Sequence, residues 1–127
     1  MSRFIASLAV VSLALVLFSG AAYSNARTDD PLGVAVSPQT LLLSSDQGGE
    51  VSVHTAIPYG AVDRSTIELN GVAVAWTKAD SCGNLVAKFD EAAIKAVASA
   101  PETIFTLTGL YDDGEPFSGS DTVRVIP

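Results

Sequence analysis

The chain is poor in the residues that most often carry chemistry. It has one cysteine, Cys82, one histidine, His54, and one tryptophan, Trp76. A single cysteine cannot close an internal disulfide. Small exported domains often rely on such staples, so this one must hold by its core, a metal or a neighbour. A thiolate nucleophile needs a base beside it, and nothing in the sequence brings His54 to Cys82. Cys82 therefore reads as a half-buried small apolar residue, with an intermolecular disulfide as the alternative. No G-x-S-x-G elbow is present, since "FSGSD" does not fit it. Ser118 and Ser120 make a triad with His54 and an Asp only on paper. No pair of carboxylates is marked for glycoside hydrolysis, which needs two acids across a cleft. Catalysis is not expected.

Basic side chains are also scarce. Seven Lys and Arg stand against fourteen Asp and Glu, for a net charge of −7. Such a surface repels nucleic acid and anionic lipid. It suits a soluble exported protein and leaves carboxylates free for cations.

What the chain does have begins at its N-terminus. "MSRFIASLAVVSLALVLFSGAAYSNA" opens with Arg3, and Phe4 to Phe18 is almost wholly apolar. Small residues follow, in a small-x-small pattern ending at Ala26. This is the pattern of a secretory signal peptide, residues 1–26. The apolar run is shorter than the roughly 20 residues that span a bilayer. No cysteine follows it, which excludes a lipid-anchored lipoprotein. No membrane span is expected after cleavage, and the product is expected in the periplasm, at the cell surface or outside the cell. Residues 27–31 are a polar leader, and 32–127 form one domain, large enough to bury a modest core.

That domain alternates in short runs between turn signals, as an all-β chain does. Val34 and Val36 share a face, as do Leu41 and Leu43. In "EVSVHTAIP", Val51, Val53, Thr55 and Ile57 face inward, against Ser52, His54 and Ala56, and Pro58 ends the run. Ile67 and Leu69 lead into Asn70-Gly71, the favoured pair for a two-residue hairpin turn. Val72, Val74 and Trp76 read as the return strand, which turns Trp76 inward, where a lone tryptophan is usually core. Leu85, Ala87 and Phe89 follow, with Lys88 outward. "DEAAIKAVASAP" reads as a two-turn helix, capped by Asp90 and ending near Ser99 and Pro101, with Ile94 and Val97 as its apolar stripe. Phe105, Leu107, Val123 and Val125 complete the inward set, and Asp113-Gly114 marks a second turn. The count gives a β-sandwich of about seven short strands with one short helix between two late strands.

Read in order, "STIELNG", "LVAKFD", a short helix and "TLTGLYDDGEPFSGSDTVRVI" resemble a family of exported bacterial and archaeal Ig-like β-sandwich modules. The likeness covers about Val36 to Ile126 and is strongest at Gly109, Gly114, Phe117, Gly119, Ser120 and Asp121. The resemblance implies an Ig-like sandwich without enzymatic activity. Many members carry an acidic loop, D-x-D-x-D-G-x-x-D-L, whose alternating carboxylates resemble a calcium loop. With Asn84-Leu85 set on the final Asp-Leu, the three leading positions fall on Trp76, Lys78 and Asp80. Only Asp80 keeps a carboxylate, and Asn84 offers a carbonyl. Calcium takes six to eight oxygens, so the loop reads as a degenerate remnant.

Asp112 and Asp113, beside Glu115 and Asp121, are weak calcium candidates and read first as a solvated hairpin tip. Ser120-Asp121 reads as a strand entry with similar turn hydrogen bonds. Among the aromatics, Tyr59 follows Pro58 in a loop and is the expected exposed ring; Trp76 is the other ligand candidate. The expectation is a non-catalytic structural or adhesive cell-surface module acting by protein contact, without a cofactor. A carbohydrate-binding accessory module is the alternative, and a calcium-stabilised module the next. The partner is then a protein or a glycan surface.

Overall fold

The computed structural model describes residues 32–127. The expected signal peptide and the polar leader lie outside these described residues. Within them the chain is an all-β sandwich of two sheets with one α-helix. Nine strand segments stand where about seven were expected, in part because the run after Asn70-Gly71 divides between the two sheets.

The first two runs yield β1 (Ala35–Ser37) and β2 (Thr40–Leu42), one in each sheet, with Pro38 between them. Proline donates no ladder hydrogen bond, so a strand breaks there readily. Then come β3 (Glu50–Pro58), a single 3-10 turn at Tyr59–Ala61, β4 (Val62–Leu69), β5 (Val72–Ala73), β6 (Trp76–Ala79) and β7 (Asn84–Asp90). The helix α1 is Glu91–Ala96, and β8 (Glu102–Tyr111) and β9 (Pro116–Ile126) close the chain. One sheet runs β1-β3-β7-β6 and the other β2-β9-β8-β4-β5. All pairs are antiparallel except β2 on β9.

The alternation expected in β3 holds: Val51, Val53, Thr55 and Ile57 are buried and Glu50, His54 and Ala56 exposed. Leu85 and Phe89 from this sheet meet Leu69, Phe105 and Leu107 from the other in one core. Each such side chain contributes about 1.5–3 kcal/mol by leaving water. Leu43 departs from the expected pairing with Leu41. It lies just past β2 and is exposed, whereas Leu41 is buried.

Two strands carry extra residues, and a threonine repairs each. In β3 the register on β7 slips between His54 and Pro58. Thr55 Oγ1 donates to Leu85 O at 2.8 Å and accepts from Ile57 N at 3.1 Å, so buried backbone groups at the slip find partners. In β4 the register on β8 slips between Asp63 and Glu68. There Thr66 Oγ1 donates to Asp63 O and accepts from Leu110 N.

The turns follow their residues. Asn70 (φ 48°) and Gly71 (φ 86°) both take positive φ, as a two-residue hairpin needs. Asn70 Oδ1 also accepts from Thr106 N, and its Nδ2 donates to Ile104 O. The helix is shorter than expected. Asp90 caps it through Ala93 N as anticipated, but it ends at Ala96 with Val97 as C-cap. Val97 is thus exposed, and of the expected apolar stripe Ile94 alone is buried.

Asp121 is not a turn residue at a strand entry. It lies within β9, and its Oδ2 accepts from Val36 N at 2.8 Å and from Gln39 Nε2 at 2.7 Å. The carboxylate thereby ties β1 of one sheet to β9 of the other.

Candidate recognition face

The outer face of the β1-β3-β7-β6 sheet holds the one aromatic ring, among the described residues, that a regular strand presents to solvent. Trp76 is 46% exposed, the reverse of the inward placement expected from alternation. The chain changes sheets between Ala73 and Trp76. Val74 N still bonds Ile67 O, while Ala75 N already bonds Lys88 O. Val72 and Val74 do pack against the core, but the crossing ends their alternation, and Trp76 starts β6 facing out.

Its neighbours come from register. Trp76 lies opposite Lys88, and Lys88 opposite Ser52. In the next row Lys78 lies opposite Val86, and Val86 opposite His54. Val86 is fully buried although it belongs to this outer face. The indole N–H donates to Glu50 Oε2 at 2.5 Å. Lys88 Nζ donates to Ser52 Oγ at 2.7 Å and stands 5.7 Å from the indole centroid. The ring is therefore held by its nitrogen and flanked by a cation, a favourable pairing with an aromatic face. Glu50, Ser52 and Lys88 escaped the sequence reading as site residues. The visible signal was the polar alternation E-x-S-x-H in β3, which placed them on one face but named no neighbour across the sheet.

Tyr59 is not the exposed ring expected. It is half-buried against the core. The Arg64 guanidinium stands 4.2 Å from its centroid and donates to Tyr59 O at 3.2 Å. One ring face is thus already occupied.

The two acidic stretches are hairpin tips of the same design. Asp80 N donates to Asn84 O and Gly83 N to Asp80 O; Tyr111 N donates to Glu115 O and Gly114 N to Tyr111 O. Gly83 (φ 81°) and Gly114 (φ 90°) supply the left-handed residue such three-residue loops require. Asp80 Oδ1 accepts from Cys82 N at 2.8 Å and Asn84 N at 2.9 Å. These bonds, that to Asn84 foremost, hold its carboxyl below the usual range, with His54 adding a favourable charge. Asp113 Oδ1 accepts from Glu115 N, while Asp112 N donates to Ala61 O. Among the described residues no three His, Cys, Asp or Glu side chains converge as metal ligands would. Cys82 is free and exposed rather than half-buried, because it occupies the loop tip. Ser118 and Ser120 face outward on β9, and His54 faces outward on β3, so both sheets separate them.

One buried acid went unnoticed in sequence beyond its place in the first helical turn. Glu91 accepts from Lys95 Nζ, from Gly49 N at 2.7 Å and from Gln47 N at 2.9 Å. The Lys95 bond first, and the Gly49 bond next, hold its carboxyl below the ordinary value. It clasps the loop before β3 to the helix beside an open groove of about 540 Å³. Comparison of the chain with protein-family models, curated proteins and solved structures gives no match.

Proposed function

We propose that this chain is an exported, non-catalytic recognition module that binds carbohydrate through the outer face of its four-stranded sheet. The observation that carries this reading is Trp76. An apolar ring nearly half exposed on a flat strand, with its nitrogen satisfied by Glu50, presents a hydrophobic plane to the C–H face of a sugar ring. An Ig-like identity is supported by strand order. With β1 as A and β2 as its continuation, the two sheets read A-B-E-D and A′-G-F-C-C′, the immunoglobulin arrangement. A glycan array tests the proposal. Binding should appear with the native protein and vanish in Trp76→Ala, whose melting temperature should stay near the native one; an array blank at high protein concentration refutes it.

The adhesive protein-contact reading keeps one specific support. On the opposite sheet four successive outward β8–β9 pairs are uncharged: Ile104 with Thr122, Thr106 with Ser120, Thr108 with Ser118, and Leu110 with Pro116. Ile104 is 64% exposed. Binding to cell envelopes that survives enzymatic removal of glycan and Trp76→Ala, but not Ile104→Lys, would favour it.

A further inference from the structure

We infer that the carbohydrate taken by the Trp76 face is anionic, a polymer of hexuronate units whose ring lies on the indole and whose carboxylate reaches Lys78 and Lys88. This rests on the carbohydrate reading of the same face and adds its charge class. The chain carries a net charge of −7, and the single ion pair among the described residues is Glu91–Lys95. Arg64 lies over Tyr59. Arg124 stands on the other sheet, opposite Glu102 in the β8–β9 ladder, whereas Lys78 and Lys88 share the outer face of one sheet with His54 beside them. Neither lysine has a carboxylate within ion-pair distance. Lys78 is exposed two residues along β6 from the ring, and Lys88 stands directly across from it.

Glu50 does not neutralise this pair of charges. Its Oε2 is engaged by the indole N–H, and it approaches neither ammonium closely enough to form an ion pair. Asp80 is committed to its own hairpin, where its Oδ1 accepts from Cys82 N and Asn84 N. The face thus joins an apolar plane to two ammonium groups without an ion-pair partner: Lys88 Nζ stands 5.7 Å from the indole centroid, and Lys78 is rooted one side-chain repeat, roughly 7 Å, along the strand from the ring. A hexuronate has the matching layout, with its carboxylate on the ring carbon next to the ring oxygen. A neutral hexose would leave both ammonium groups unused. Screening limits electrostatics to about a Debye length, roughly 8–10 Å, so a polyanion in contact with the acidic remainder of the surface is repelled there, and this face is where it is not.

Because Trp76 is the only tryptophan in the chain, its fluorescence reports this site alone. The native protein is titrated with polygalacturonate, with the neutral polymer galactan, and with dextran sulfate. The expected result is a saturable fluorescence change with polygalacturonate and at least tenfold weaker binding of galactan. Lys78→Glu should weaken polygalacturonate binding about tenfold, since it removes one exposed ion pair and adds a repulsion. Trp76→Phe should retain binding, followed by calorimetry, and Trp76→Ala should lose at least about thirtyfold. Equal binding of galactan, or indifference to Lys78→Glu, overturns the anionic inference and leaves the carbohydrate reading standing. Binding by none of the polymers, with a blank glycan array, overturns both. Dextran sulfate bound as tightly as polygalacturonate, and unaffected by Trp76→Ala, would mean bare electrostatic adsorption and overturn the inference.

Discussion

Gly109 is a glycine in the middle of β8, and the structure says why nothing larger fits. It lies opposite Phe117 of β9. A Cβ built there would come 2.6 Å from Phe117 Cζ and 2.9 Å from its Cε2, with Thr66 Oγ1 at 3.3 Å. The Phe117 ring lies across the glycine backbone, 6% exposed, and its other neighbour is Tyr111 at a centroid distance of 5.1 Å. Thr66 cannot yield easily, since its hydroxyl holds the β4 slip through Asp63 O and Leu110 N. Gly109→Ala must therefore turn the ring. Overpacking of this kind costs about 1–3 kcal/mol. At about 4–8 °C per kcal/mol in a domain of this size, the melting temperature should fall by at least about 4 °C. The stronger test is a change of sign. In Phe117→Leu the outer ring atoms are gone, and the remaining close contact is Thr66 Oγ1 at 3.3 Å, which needs a shift of only a few tenths of an ångström. Removing a strand glycine should there stabilise by about 0.5–1 kcal/mol, because glycine loses the most freedom on folding. Thermal unfolding of the two single variants and the double variant reads the coupling directly. An unchanged melting temperature in Gly109→Ala, or the same loss in both backgrounds, would refute the ring-on-glycine account.

Other perturbations have equally definite outcomes. Glu91 and Asp80 have folded-state carboxyls held below their ordinary values, so their stabilisation is complete above the unfolded values and is lost as pH falls through the folded ones. Melting temperature should be flat from neutral pH to about 5 and drop below about 4.5, and Glu91→Gln should start lower and drop less steeply across that window. Asp80→Ala removes two hairpin hydrogen bonds and should lower the melting temperature by a few degrees, equally in millimolar calcium and in chelator; a loss confined to calcium would reveal a working ion site. Asn70→Ala places alanine at φ 48° and leaves Thr106 N without its side-chain acceptor, which should cost about 1–3 kcal/mol in denaturant unfolding.

The strands and most of the core were legible because one face of each strand is buried and the side-chain period is two. Turns at Asn70-Gly71 and Asp113-Gly114 were legible because left-handed backbone demands those residues. The helix cap at Asp90 was legible too, from a short polar side chain ahead of alanines. The clasp made by Glu91 was not. A glutamate in a first helical turn looks the same in sequence whether it faces water or the amides of Gln47 and Gly49, and those donors lie more than forty residues away. Asp121 escaped for a similar reason, since its partner Val36 N is 85 positions distant.

Trp76 shows the deeper limit, and it bears on function. Val72, Val74 and Trp76 share a parity, so alternation alone must put all three on one side. That inference assumes a continuous strand in one sheet. The chain instead hands over from Ile67 to Lys88 as hydrogen-bond acceptor within two residues, and past the handover inward and outward are set by a different sheet. No local periodicity encodes a change of sheet. The same step that defeats the pattern also places an aromatic ring on the β6 edge with a lysine opposite it. A ring buried in that position would have contributed to the core and left the face without its apolar plane. The ring at 46% exposure instead forgoes part of the roughly 1.5–3 kcal/mol that full burial of a large apolar side chain contributes. In a fold whose interior is filled mainly by aliphatic and phenylalanine side chains, the ring outside is the feature on which the proposed carbohydrate reading rests.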